Sequence, residues 1–241
     1  MAGASYFIWK GADCRAKGVL LQSPLPIVRG EERVEHVTIP GRSGDLTLSQ
    51  GERIINSYIQ TASIAVKGRQ RVAEIMDWLT GSGELISGAE PNRKQQARVI
   101  GAVSLRKHSK NLDWWEGECQ FYCQPLKQAL TEEKVTMTAA GTVTNRGDVI
   151  ARPLFKLTAS GGSILLQISH SSGGSTSTEA LEVPTDCYID SETGIITDLT
   201  RTNVLNNQSF GDFPVLLPGD NNYLSGSGWS SIEITKRERW L

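Results

Sequence analysis

The chain has 241 residues, 39% of them apolar and 21% charged, with a formal net charge of −1. That apolar share supports a packed core and excludes a chain disordered by composition, and the length suits two ordinary domains or one large all-β domain. The near-zero net charge excludes a whole-chain basic field for nucleic acid, and no apolar run approaches the ~18 residues of a membrane-spanning helix. The start, MAGASYFIWKG, has no basic stretch followed by a long apolar one, so no secretory signal is expected. The four cysteines are then expected to be reduced thiols of a protein made in the cytosol.

Tyr6–Gly11 reads as a short strand into a turn, and Val19–Leu21 as a second short run. Pro24 and Pro26 lack the N–H a central strand needs, so an edge or an extended connector follows. Val34–Ile39 alternates weakly and stops at Pro40-Gly41. Pro fixes φ at one position and Gly accepts positive φ at the next, so PGRSG is a turn on its chemistry alone. From Tyr58 to Lys67 the period is two, with Tyr58, Gln60, Ala62, Ile64 and Val66 on one side. The period then changes. Val72, Ile75, Met76 and Leu79 fall at i, i+3, i+4 and i+7, one apolar stripe of a short helix ended by Gly81 and Gly83.

AEPNRKQQ reads as a polar loop and Ala97–Leu105 as a strand. In the strand from Trp115 to Cys123, the residues Cys119, Phe121 and Cys123 share one face, and Pro125 is expected to end it. Near Thr131 the composition shifts toward Thr, Ser, Gly and Asn. Short apolar runs (VTMTA, PLFKLTA, ILLQIS, ALEVP, CYID, IITDL) alternate with turn signals, the pattern of a β-sandwich. A boundary is expected at about residue 132, and SSGGSTST is read as a hairpin tip.

No catalytic constellation emerges. There is no G-x-S-x-G elbow and no phosphate loop; GSGELI fails the dinucleotide fingerprint and follows a helix where a strand is needed. His36, His108 and His170 stand far apart. Cys119 and Cys123 lie ~13 Å apart along a strand, awkward for one metal, and Cys14 and Cys187 stand alone. Glu116 and Glu118 share a strand face and form the one carboxylate pair to weigh for a glycosidase. Arg93-Lys94 and Lys236–Arg239 are short basic clusters read as loop or interface charges. Trp114, Trp115 and Trp229 are read as core or interface anchors. No catalytic residue, cofactor or metal is expected, and a structural or binding role follows.

The order of segments adds a resemblance. YFIWKG, GVLLQSPLPIV, the I-P-G-R-S-G-D-L turn, SYIQTASIAVKG and a helix ending in W-L come first. After them stand the F-Y-C-Q-P strand end, N-R-G followed by R-P-L-F-K-L, the L-P-G-D-N-N turn and a terminal R-x-R-W-L. Together they resemble the distal tail protein of long-tailed siphophages, the hub of the baseplate.

The resemblance implies a mainly β fold. Residues 1–132 are similar to a β-sandwich-like, ring-forming domain with one short helix, and residues 133–241 to a galectin-like or carbohydrate-module-like β-sandwich. It implies a hexameric ring at the distal end of a non-contractile tail, in a virion assembled in the host cytoplasm. Its partners would be copies of itself, the tail tube protein, the tail-tip protein and receptor-binding or side-fibre proteins. DNA would pass through the channel without specific binding, and no membrane insertion is implied. The chain has no room for an inserted sugar-binding module and looks like the scaffold-only form.

On this reading the turn Pro40, Gly41, Arg42, Gly44 and Asp45 either lies at the ring interface, with Arg42 or Asp45 in a charged contact, or is a solvent-exposed turn that sets register. The end of the chain, about residues 232–241, either ties back onto the N-terminal domain or a neighbour or frays in solvent. If tied, Trp240 is its anchor, with Arg237 and Arg239 at the rim. The competing readings are another tail ring protein, a host-glycan-binding adhesion module, for which Phe210, Phe213, Tyr223 and Trp229 are the candidate aromatics, and a glycan-cleaving enzyme.

Overall fold

A computed structural model describes residues 5–49, 54–110, 112–172 and 175–241. The chain divides into two units, Met1–Leu130 with Leu241, and Thr131–Trp240. Both are built from antiparallel strands, and the described residues contain one α-helix.

The first unit contains β1 (Phe7–Trp9), β2 (Ala12–Asp13), β3 (Val19–Leu21), β4 (Val34–Thr38), β5 (Asp45–Ser49), β6 (Tyr58–Lys67), α1 (Arg69–Trp78), β7 (Ser82–Ser87), β8 (Arg93–Lys107) and β9 (Trp114–Ala129). Its main sheet runs β2-β1-β7-β8-β9-β6-β3. Alternation in β6 buries Gln60, Ala62, Ile64 and Val66, and alternation in β9 buries Cys119, Phe121 and Cys123. The Phe121 ring lies 5.6 Å from Phe7 and 5.2 Å from Trp9, and Phe7 stacks on Trp78 at 5.7 Å. The two indoles also bond reciprocally. Trp9 Nε1 donates to the Trp78 carbonyl at 3.1 Å and Trp78 Nε1 to the Trp9 carbonyl at 3.4 Å. The helix is thereby fixed at its last turn, where Ile75 and Leu79 enter the core.

Three expectations are corrected here. Pro125 does not end its strand, because β9 continues to Ala129. Gln95 pairs with Lys127 and Ala97 with Cys123, so β9 carries two extra residues around Pro125. That bulge removes the demand for the N–H proline lacks. Residues 93–96 are strand and not loop. Their polar side chains are held from neighbouring strands: Lys94 Nζ bonds Glu84 at 2.7 Å, while Gln95 accepts from the Tyr58 hydroxyl at 2.8 Å and donates to Gln60 at 3.2 Å. Met76 leaves the apolar stripe. It is 38% exposed, and the half-buried Trp78 takes its place against the core.

The second unit is a sandwich of two five-stranded sheets. Its strands are β10 (Lys134–Met137), β11 (Gly141–Asn145), β12 (Leu154–Ala159), β13 (Ile164–Ser172), β14 (Ser175–Val183), β15 (Cys187–Asp190), β16 (Ile195–Thr197), β17 (Phe210–Gly211), β18 (Gly219–Ser227) and β19 (Trp229–Thr235). One sheet has the order β10-β19-β12-β15-β16 and the other β11-β18-β13-β14-β17. Inner-face residues of both form one core, among them Phe155, Leu157, Ile189, Ile232 and Ile234 from the first and Ile164, Leu166, Ile168, Leu181 and Leu224 from the second. β13 and β14 pair out to Ser172 opposite Ser175, while Gly173 and Gly174, the centre of the expected SSGGSTST tip, lie outside the described residues.

Two of the quoted turns carry buried amides that explain them. Asn222 Nδ2 donates to the carbonyls of Val143, Leu217 and Gly219, and its Oδ1 accepts from Leu217 N–H. Asn145 Nδ2 serves Val149 and Leu216, while its Oδ1 accepts from Gly147 N–H. Each replaces several backbone bonds that a tight turn cannot make for itself.

Candidate functional site

The most unusual feature is the ribbon of β4 and β5. The strands pair from Val34–Ser49 to Thr38–Asp45 and form a sheet of only two strands among the described residues. The ladder continues toward the main body through a Glu32–Ile55 bridge, Arg33 N–H to Ile54 O at 2.7 Å and Asn56 N–H to Glu31 O at 2.8 Å. From Glu31 to Ser49 every residue is exposed except Leu46, which is half-buried. Val34, Val37, Ile39 and Leu48 are each more than a third exposed. A hairpin alone in water is marginal, and its unpaired edges invite another chain.

The turn at its tip follows from its residues. Arg42 N–H donates to Ile39 O at 3.1 Å, with Pro40 and Gly41 between and Gly41 at φ +83°. Pro followed by a positive-φ Gly is a type II turn. Gly44, at φ +80°, returns the chain to β5, and Thr38 Oγ1 closes the hairpin on Asp45 Oδ1 at 2.8 Å. Pro40, Gly41, Arg42, Gly44 and Asp45 are thus gathered in one exposed turn. Asp45 is used inside the hairpin, whereas Arg42 has no ion pair among the described residues.

The C-terminal candidates form a different kind of site. Arg237 holds Asp190 through both guanidinium ends and reaches Glu192 at 3.3 Å. Arg239 lies between Glu132 at 3.5 Å and Glu192 at 3.7 Å. The buried Lys236 bonds Glu133 at 3.2 Å, and Glu238 accepts from the Arg146 backbone N–H at 2.8 Å. Trp240 Nε1 donates to the Arg146 carbonyl at 3.1 Å. All of these partners belong to the second unit. Burial alone would raise the Asp190 carboxyl, but the hydrogen bonds and charge of Arg237 hold it below its ordinary 3.8. The same carboxylate raises Arg237 further. The acidic partners Glu132, Glu133, Asp190 and Glu192 escaped sequence reading because they lie 45 or more residues away. The one available signal was the complementarity of Glu132-Glu133 with the basic end.

The remaining chemistry-bearing residues make contacts of other kinds. His108 Nδ1 sits 2.9 Å from Glu116 Oε2, and that hydrogen bond holds the Glu116 carboxyl below its ordinary value, the opposite of what a general acid needs. Glu118, two residues along the same strand, is exposed. The thiols of Cys14, Cys119, Cys123 and Cys187 are all buried and free, and burial pushes those of Cys119, Cys123 and Cys187 up to about 12. Among the candidate aromatics, Phe213 and Trp229 pack on the second core, whereas Phe210 and Tyr223 are exposed.

No protein-family description and no curated protein matches this sequence. Among solved structures, the Dit protein of phage SPP1, described as a paradigm of the hub adsorption apparatus in phages infecting Gram-positive bacteria, aligns with a TM-score of 0.73 at 20% identity. The alignment covers 98% of this chain and 99% of that one. A chain of the phage P2 baseplate in its activated conformation with Ca aligns over 97% of both chains with a TM-score of only 0.43 at 8% identity, too low to bear on the fold. The SPP1 comparison establishes the fold: over nearly its whole length this chain folds as the Dit hub protein does.

Proposed function

We propose that this chain is a structural hub of a phage tail, a component that assembles with copies of itself into a hexameric ring at the distal end. In this reading it links the tail tube to the tail-tip protein and to receptor-binding or side-fibre proteins, and it is not an enzyme. The observation that carries the proposal is the near-complete match to the Dit fold, covering 98% of the chain. The free-standing ribbon supports it independently, because a two-stranded sheet with exposed Val34, Val37, Ile39 and Leu48 gains its stability by lying on another surface. Subunits of a ring pack head to tail, each offering one patch to a different patch of the next, and a projecting arm suits that geometry. The near-neutral charge suits a conduit that lets DNA slide through without holding it.

The test removes the ribbon. Replacing residues 34–49 with a short Gly-Ser turn leaves the main sheet's strands intact. The variant is expected to remain folded by circular dichroism and to lose assembly into rings. Rings of unchanged size and stability from the shortened chain would sink the role given to the ribbon.

A further inference from the structure

We propose that the tip of the ribbon in one copy seats in an apolar groove beside α1 of the next copy. This rests on the ring reading above and names the two surfaces that meet.

The groove is built by two local devices. On one side, α1 stops at Trp78, Leu79 turns inward, Thr80 Oγ1 bonds the Asp77 carbonyl at 2.8 Å, and the chain reverses at Gly81, φ +68°, into β7. On the other side, β8 bulges. Ile100 pairs with Gln120 and Ser104 with Glu118, so β8 carries two extra residues, and Gly101 takes φ +71°. Bulges bend a strand and re-aim its side chains. The opening between them has a volume of about 370 Å³, and Met76, Leu79, Val99 and Val103 form its apolar wall. That volume falls in the ~300–1,000 Å³ range of sites that take up a partner group.

Three observations point to the ribbon tip as the occupant. Met76 is left 38% exposed beside the buried Ile75 of α1, while Val37 and Ile39 at the tip are 36% and 37% exposed. Each surface lacks the cover the other supplies. Second, Asp77 lines the groove and Arg42 lies in the tip turn; neither carboxylate nor guanidinium has an ion pair among the described residues, and their charges are opposite. Third, the surfaces are separate patches of one unit. The ribbon joins the sheet at the Tyr58 end of β6, whereas the groove lies on β8, two strands away across β9. A contact that uses two different patches is the heterologous kind, which propagates from copy to copy and closes as a ring when the rotation per copy divides a full turn.

Cysteine pairing tests this on the full chain. All four native thiols are buried, so an introduced surface thiol reacts alone. One chain carries Ile39→Cys and another Met76→Cys. The two are mixed, oxidised mildly and run on a non-reducing gel, with the mass of the same sample taken by light scattering. A cross-linked dimer in the mixture, and in neither chain alone, is the expected result. A second measurement uses charge: Arg42→Glu should raise the concentration at which assembly begins by about threefold or more, and Asp77→Arg should restore it. Rings without the mixed cross-link overturn this pairing and leave the ring reading standing. A cross-link in the Ile39→Cys chain alone overturns it in favour of tip-to-tip contact. A monomer without cross-link at any concentration overturns both readings.

Discussion

Replacing Arg237 with Ala removes the centre of the C-terminal charge cluster. Arg237 is 17% exposed and Asp190 23%, so the pair is neither a surface salt bridge nor fully buried. Two hydrogen bonds vanish, and the Asp190 carboxylate stays partly buried without its counter-ion. Losing one partner of such a pair costs about 2 kcal/mol. For a unit of roughly 100 residues that corresponds to a fall in melting temperature of about 10 °C. The sign of the pH dependence follows from Asp190. Its carboxyl is held below 3.8 in the folded protein, so the stability it contributes is fully present above the unfolded value of about 3.9 and is lost as pH falls through the folded one. Urea unfolding at pH 7 should show the full gap between wild type and Arg237→Ala, and the gap should narrow below about pH 4. Asp190→Asn in the Arg237→Ala background should cost little more than Arg237→Ala alone. A gap that is the same at pH 3 as at pH 7, or one under about 0.5 kcal/mol at pH 7, would refute the assignment of Asp190 and Arg237 as a coupled pair.

Phe121→Ala opens a cavity between Phe7 and Trp9 and should cost about 3–5 kcal/mol in chemical denaturation of the first unit. Gly41→Ala forces a side chain onto φ +83° at the ribbon tip; the local cost of about 1 kcal/mol should appear as faster proteolysis between Val34 and Ser49, with global melting nearly unchanged. Thiol titration at pH 8 should find no reactive cysteine in the native chain and four after denaturation, because all four are buried and those of Cys119, Cys123 and Cys187 are pushed up to about 12. One rapidly reacting native thiol would contradict the packing described for both cores.

The parts of the fold legible in the sequence were those set by local period. Tyr58–Lys67 was a strand because alternation alone buries Ala62, Ile64 and Val66, and the same rule placed Cys119, Phe121 and Cys123 inside. The tip turn was legible because Pro40-Gly41 leaves the backbone few alternatives. What failed depended on neighbours distant in the chain. Pro125 reads as a stop until β8 supplies a register with two residues to spare. Gln95 reads as loop until Tyr58 and Gln60 meet it. Met76 fits the helical stripe, and only the bulge of β8 leaves it at the edge of an open groove. The basic residues near the chain end were legible as charge, but not their partners: Arg237 meets Asp190, Arg239 meets Glu132, and Trp240 Nε1 donates to the Arg146 carbonyl. Charge pairing across a sandwich leaves no periodic trace in sequence.

The ring itself is tested most directly by the mass of the purified chain in solution, measured by light scattering on a sizing column at increasing concentration, with the same fractions imaged in negative stain. A species near six times 26.3 kDa, seen as closed rings with a central hole, is the result expected of the hub. A monomer that persists to millimolar concentration, or open chains of no fixed number, would contradict a self-closing ring.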